Sequence, residues 1–147
     1  MDGIDNHILR ELSRDGRQTN LELAERVGLS PSACLRRVQE LERSGVINGY
    51  RAKLDKSKLG IGFVAYISVG LSQHTKGAQE AFETAISRAP EVVECHNITG
   101  NVEYLLRVEV SDIAAYKIFH TDVLGVLPTV NAITSYIVMG SPKDDRA

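Results

Sequence analysis

Residues 19–38 read Thr19-Asn20-Leu21-Glu22-Leu23-Ala24-Glu25-Arg26-Val27-Gly28-Leu29-Ser30-Pro31-Ser32-Ala33-Cys34-Leu35-Arg36-Arg37-Val38. The order of caps and breakers in this stretch decides the fold of the first third of the chain. Thr19 or Asn20 can accept a hydrogen bond from the free N–H groups that open a helix, and Glu22 stands in the first turn. Leu21, Leu23, Ala24 and Val27 recur at helical spacing as its apolar stripe. Gly28 stops that helix after about two turns. Leu29 follows as an apolar plug, and Ser30-Pro31 starts a new helix with a hydroxyl cap and a ring already held at helical φ. Short helix, glycine turn and capped helix make the helix-turn-helix layout.

Upstream, Ile4, Ile8, Leu9 and Leu12 mark a first amphipathic helix, predicted to end near Asp15-Gly16 with glycine supplying a left-handed cap. Downstream, the third helix is predicted from Pro31 to about Ser44. Cys34, Leu35, Val38 and Leu41 face the first two helices, and Ser32, Ala33, Arg36, Arg37, Gln39, Glu40 and Arg43 are left outside. A helix lying in the major groove reads bases mainly through residues near its N-terminus, where its dipole also favours phosphate. The candidate contacts to double-stranded DNA are therefore Ser30, Ser32, Arg36, Arg37 and Arg43, with Arg36 and Arg37 as the main readers. Arginine has the fork geometry for guanine or phosphate, and serine hydroxyls can hold backbone oxygens or a base edge. The competing reading is a solvated face on which Arg36 pairs with Glu40 four residues on. The glycine turn and the Ser-Pro start tip the balance towards DNA. Residues 46–54 are predicted to leave the bundle as a strand, with Arg51 and Lys53 forming either a wing on phosphate or the solvent side of a linker.

Working further outward, 62–71 alternates and is rich in β-branched and aromatic residues, 77–89 carries a helical stripe ended by Pro90, and 92–98 and 104–110 read as two more strands. A helix from an Asp112 cap to about Leu124 and a strand over 130–139 complete a β-α-β-β-α-β order, that of a ferredoxin-like plait with both helices on one face. The fold class is α+β. The division is 1–48 for the helix-turn-helix, 49–61 for a linker strand and connection, and 62–147 for an oligomerisation and effector-binding domain. Phe63, Val64, Tyr66 and Leu106 are predicted on the uncovered sheet face, which is too apolar to meet water alone. A second copy is its default cover, and a dimer would place two reading heads on two half-sites of a near-palindrome.

Composition narrows the remaining classes. Of 147 residues, 43% are hydrophobic and 24% charged, so the chain can bury a core. The net charge is −2, with nine Lys/Arg against eight Asp/Glu in 1–54 and eight against eleven in 55–147, too even for a protein that coats nucleic acid through its overall field. No apolar run approaches the roughly 20 residues of a membrane span, and 1–5 lacks a signal-like start, so the expectation is a cytoplasmic protein without membrane contact. Cys34 and Cys95 are expected as small buried hydrophobes. His7, His74, His96 and His120 have no metal-ligand spacing, and Cys95 and His96, adjacent on a strand, point to opposite faces. No enzyme, metal or cofactor is expected.

Three stretches carry a resemblance that covers almost the whole chain: residues 23–38 with Leu41-Glu42 and Gly45-Val46-Ile47; Glu94-Cys95-His96 with Thr99-Gly100-Asn101-Val102-Glu103-Tyr104-Leu105-Leu106; and Tyr136-Ile137-Val138-Met139. In these the chain resembles the Lrp/AsnC (feast/famine) family of bacterial and archaeal transcription regulators. The resemblance implies a dimer, often assembled into tetramers, octamers or larger forms, whose second domain binds an amino acid or related metabolite between dimers. It places the effector at Gly100, Asn101, Val102 and Glu103. The family usually has proline where Ala33 stands, and Gly-Asp-Tyr/Phe-Asp where this chain has Gly100-Asn101-Val102-Glu103. That loop could give backbone N–H groups to a carboxylate and Glu103 to an ammonium, or it could be a plain hairpin turn. Tyr104 and Tyr136 read as packing or interface residues. The function expected is a sequence-specific DNA-binding regulator modulated by an amino acid. The alternatives are an effector-independent regulator, or a metabolite-binding assembly module without DNA function.

Overall fold

The computed structural model describes residues 1–146. Residues 1–54 and residues 55–144 form two compact units.

The first unit holds α1 (Gly3–Arg14), α2 (Asn20–Val27) and α3 (Pro31–Arg43). Each start is locally encoded. Asp2 and Asp5 form a capping box on α1, Thr19 and Glu22 one on α2, and the Ser30 hydroxyl accepts the Ala33 N–H ahead of Pro31 on α3. Gly28 closes α2 at φ +74°, the left-handed cap expected there. The end of α1 differs. Asp15 is extended and Gly16 has no positive φ. The Gln18 amide takes the cap instead, donating to the Glu11 carbonyl at 3.0 Å and the Asp15 carbonyl at 2.9 Å. Its own oxygen is fixed by Arg26 Nη1 at 2.6 Å.

Ile8, Leu23, Ala24, Val27, Cys34 and Leu41 form the core of this unit, with Leu12, Leu29, Val38 and Ile47 packed against it. Two residues expected inward are not. Leu21 is 67% exposed and Leu35 45% exposed. At about 100° per residue, Leu21 lies about 110° off the centre of the Leu23, Ala24, Val27 stripe, and Leu35 about 90° off the Cys34, Val38, Leu41 stripe. The predicted strand over 46–54 is also absent: the chain there is irregular and, apart from Ile47, exposed. A strand needs a partner to take its N–H and C=O groups, and this unit contains no other strand. Asp55 then caps one 3-10 turn, Lys56–Leu59.

The second unit comprises β1 (Phe63–Leu71), α4 (Lys76–Ser87), β2 (Val92–Asn97), β3 (Tyr104–Val110), α5 (Ile113–Phe119) extended by a π-helical turn (His120–Leu124), and β4 (Val130–Ile137). The sheet is antiparallel in the order β2-β3-β1-β4, the ferredoxin-like plait. Ala65, Ile67 and Val69 pair with Val108, Leu106 and Tyr104 and are buried with Phe82, Ile86, Phe119 and Leu124 of the helices. Strand parity corrects the reading of the open face. Leu106 and Phe63 belong to the helix side, where the Phe63 ring lies 5.0 Å from that of Tyr116. The open face carries Val64, Tyr66 and Ser68 of β1 and Leu105, Arg107 and Glu109 of β3, with Thr134 and Tyr136 of β4 beside them. Cys34 is buried as expected, but Cys95, on an edge strand, is exposed.

Candidate nucleic-acid interface and effector loop

The outward face of α3 is set by helical geometry. Ser32, Arg36, Gln39 and Arg43 fall within about 60° of one another around the axis, and all four are exposed. Gln39 was not singled out from the sequence, although the spacing that groups it with Arg36 is legible there. The start of this helix is pinned from α2, because the Asn20 side-chain amide donates to the Pro31 carbonyl at 2.8 Å. Ser30 is occupied as the cap, accepting the Ala33 N–H at 3.2 Å, and its hydroxyl lies 3.4 Å from that of Ser32.

The three arginines of α3 differ in what surrounds them. Arg43 is held by Glu40 through two bonds, Nε to Oε2 at 2.8 Å and Nη2 to Oε1 at 2.5 Å. Glu40 is thereby taken by Arg43 and not by Arg36. Arg37 Nη1 lies 2.9 and 2.8 Å from the two Asp2 carboxylate oxygens and 3.2 Å from Asp5 Oδ1. Hydrogen bonding from Arg37, then from the Asp5 N–H, lowers the Asp2 carboxyl to about 2. The same carboxylates raise Arg37 above its ordinary value. Arg36 alone of the three makes no hydrogen bond or ion pair among the described residues. Arg51 and Lys53 are exposed on irregular chain, not on a strand.

The loop between β2 and β3 is built around Glu103. Its backbone N–H donates to the Val69 carbonyl at 3.1 Å, and its carbonyl accepts the Ile98 N–H at 2.9 Å and the Asn97 amide at 3.0 Å. Its carboxylate reaches under the end of β1, where Oε2 accepts the Leu71 N–H at 2.7 Å and Oε1 lies 2.6 Å from His74 Nδ1. Both carboxylate oxygens therefore have partners within the chain. Val102 Cγ1 stands 3.7 Å from where a Cβ on Gly70 would be, at ordinary packing distance from β1. Gly100, at φ +122°, and Asn101 stay exposed at the tip. A hollow of about 320 Å³ lies elsewhere, beside α4 and β2, lined by Glu83, Ile86, Cys95, Asn97 and Tyr104 among others.

On the open sheet face Arg107 is the hub. It donates from Nε to Glu109 Oε2 at 3.0 Å and from Nη1 to the Tyr66 hydroxyl at 2.9 Å, and its guanidinium carbon stands 5.3 Å from the centre of the Tyr66 ring. Glu94 Oε2 lies 3.8 Å from Arg107 Nε, and Lys56 Nζ lies 3.3 Å from Glu109 Oε1. The face is thus ionic at its centre. Among the described residues no helix is long and apolar enough to cross a membrane, and no His, Cys, Asp and Glu cluster could hold a metal ion.

Comparison with known proteins agrees with this architecture. Residues 1–48 match the model of a winged helix-turn-helix DNA-binding domain, and residues 64–147 that of the Lrp/AsnC ligand binding domain. The chain is 41% identical over 146 residues to the leucine-responsive regulatory protein of Escherichia coli (strain K12), covering 99% of this chain and 89% of that protein. Among solved structures, a transcriptional regulator of Neisseria meningitidis in complex with L-Met superposes with a TM-score of 0.94 at 38% identity, covering 98% of this chain and 93% of that one. An AsnC family transcriptional regulator from Agrobacterium tumefaciens gives 0.93 at 36% identity, covering 98% and 94%.

Proposed function

Because this chain belongs to the Lrp/AsnC family of DNA-binding transcription regulators, we propose that it reads a near-palindromic operator through the Ser32, Arg36, Gln39 face of α3 and answers to an amino acid. The family is one of regulators, not of enzymes. The observation that carries the reading of bases is the free guanidinium of Arg36, on an exposed face that also offers Ser32, Gln39 and Arg43. Arg36 supplies the fork for guanine O6 and N7, and Gln39 can pair with adenine. The Ser30 hydroxyl holds phosphate, which orients the head without reading sequence. The division of labour follows the chain: 1–48 reads DNA, 49–61 connects, and 62–147 assembles and senses.

A second copy covers the open sheet face, and the dimer brings two heads to two half-sites in the cytoplasm, where the DNA lies. Tetramers and octamers extend the same assembly. An amino-acid effector is supported by the match of 64–147 to a ligand-binding domain, by the leucine-responsive relative and by L-Met in the Neisseria meningitidis structure. Gly100, Asn101 and Val102 receive it, chiefly through backbone groups. Glu103 shapes the loop, because its carboxylate is already bonded to Leu71 and His74.

The test is a footprint upstream of the protein's own or a neighbouring gene, followed by titration of that duplex. Binding weakens steeply as salt rises, and Arg36→Ala removes about 1–3 kcal/mol of discrimination at one base pair of each half-site. Undiminished discrimination by Arg36→Ala would remove Arg36 from the reading face.

A further inference from the structure

We infer that Arg37 is a positioning residue and not a base reader: it fastens α3 to the N-terminus of α1 through the Asp2 and Asp5 carboxylates, and so sets how α3 presents Arg36 to DNA. The inference rests on the reading of α3 as the DNA-contacting helix. Three observations carry it. Arg37 Nη1 lies within 3.2 Å of three carboxylate oxygens on two residues of another helix. Its Cα lies about 130° around the axis from the centre of the Ser32, Arg36, Gln39, Arg43 face, towards the buried stripe of Cys34 and Leu41. The acids it holds are the α1 capping box itself, in which Asp2 accepts the Asp5 N–H at 2.9 Å and Asp5 accepts the Asp2 N–H at 3.3 Å, so the guanidinium grips the capped end of that helix.

Charge arithmetic separates the two roles. Asp2, Asp5 and Arg37 together carry −1, so the cluster presents no net cation to a phosphate. Removing Arg37 both frees α3 from α1 and bares two carboxylates. A reader would behave in the opposite way towards its acids, because neutralising them would release it to DNA and tighten binding.

The experiment titrates the full-length protein against its operator and a panel of single base-pair variants, at several salt concentrations. The variants are Arg37→Lys, Arg37→Ala, and Asp2→Asn with Asp5→Asn. Asparagine caps helices as well as aspartate does, so the double variant keeps the cap and loses the ion pair. Arg37→Ala weakens binding by about tenfold on every duplex alike, with the base-preference profile unchanged. Arg37→Lys recovers most of that loss, since an ammonium can reach the same carboxylates although it cannot supply the planar fork of a guanine contact. The Asp2→Asn, Asp5→Asn variant also weakens binding, and adding Arg37→Ala to it costs little more. Tighter binding by the double asparagine variant, or a preference lost at one base pair in Arg37→Ala, would overturn the inference. Lack of any preference for the operator in the unaltered protein would overturn the DNA reading beneath it, and this inference with it.

Discussion

Arg36 and Arg37 are sequence neighbours with opposite surroundings, and the difference follows from about 100° of helical rotation. Arg36 stands free on the outer face, and Arg37 spends its charge on the cap of α1. The cap supplies a pH signature. Hydrogen bonding from Arg37 and from the Asp5 N–H holds the folded Asp2 carboxyl at about 2, against an ordinary 3.8. The folded value lies below the unfolded one, so this contribution to stability is complete above about 3.8 and is lost as pH falls towards 2. Asp2→Asn is expected to flatten the acid limb of the unfolding profile in that window, measured by urea titration at successive pH values. A limb of unchanged steepness would show that Asp2 does not contribute to it. Both arginines were visible as candidates in the sequence. The difference in their partners was not, because those of Arg37 are 32 and 35 residues away.

At the scale of elements, the helices were legible because their stop and start signals are short-range. The Thr19 and Glu22 box and the Gly28 cap act within one turn of the backbone they satisfy. Thr19→Ala is expected to cost about 1 kcal/mol of stability through the lost cap on the Glu22 N–H, read from the midpoint of denaturant unfolding. Leu21→Gln, on the exposed side of the same helix, is the control and should leave the midpoint in place. Elements that depend on distant partners were not readable in this way. Residues 46–54 alternate like a strand but find no second strand, and the cap of α1 came from Gln18 of the following turn instead of from Gly16. On the sheet, Arg107 binds Glu109 with 8% and 4% of their side chains exposed, and Tyr66 and Glu94 complete the group. Truncation of Arg107 to alanine would leave the buried Glu109 with only the half-exposed Lys56 as its cation, at an expected cost of about 1–3 kcal/mol in unfolding free energy. A loss below about 1 kcal/mol would mean that the ionic centre of this face contributes little to holding it.

For the whole molecule, the second unit matches a ligand-binding domain, and a ligand can be sought without knowing any target gene. A compound that binds only the folded protein raises its melting temperature by mass action, so a panel of the common amino acids identifies the effector class. The expected outcome is a rise with one or a few apolar amino acids, leucine and methionine first, growing with the logarithm of concentration. A flat response across the panel would point to regulation without an amino acid. The same preparation in sedimentation should run as a dimer or larger at micromolar concentration, and a monomer would leave the open sheet face uncovered.

The sequence by itself determined the helix-turn-helix and the βαββαβ order, and marked the candidate α3 contacts. Each follows from local signals: caps within one turn, periods of 3.6 or 2, glycine where φ must be positive. Only the tertiary structure decided which of those candidates are free to act. Arg37 is tied to Asp2 and Asp5, Arg43 to Glu40, Glu103 to Leu71 and His74, while Arg36 is left open. Composition and spacing say what a side chain is able to bind. What it does bind depends on which residues, distant in sequence, packing brings within about 3 Å of it.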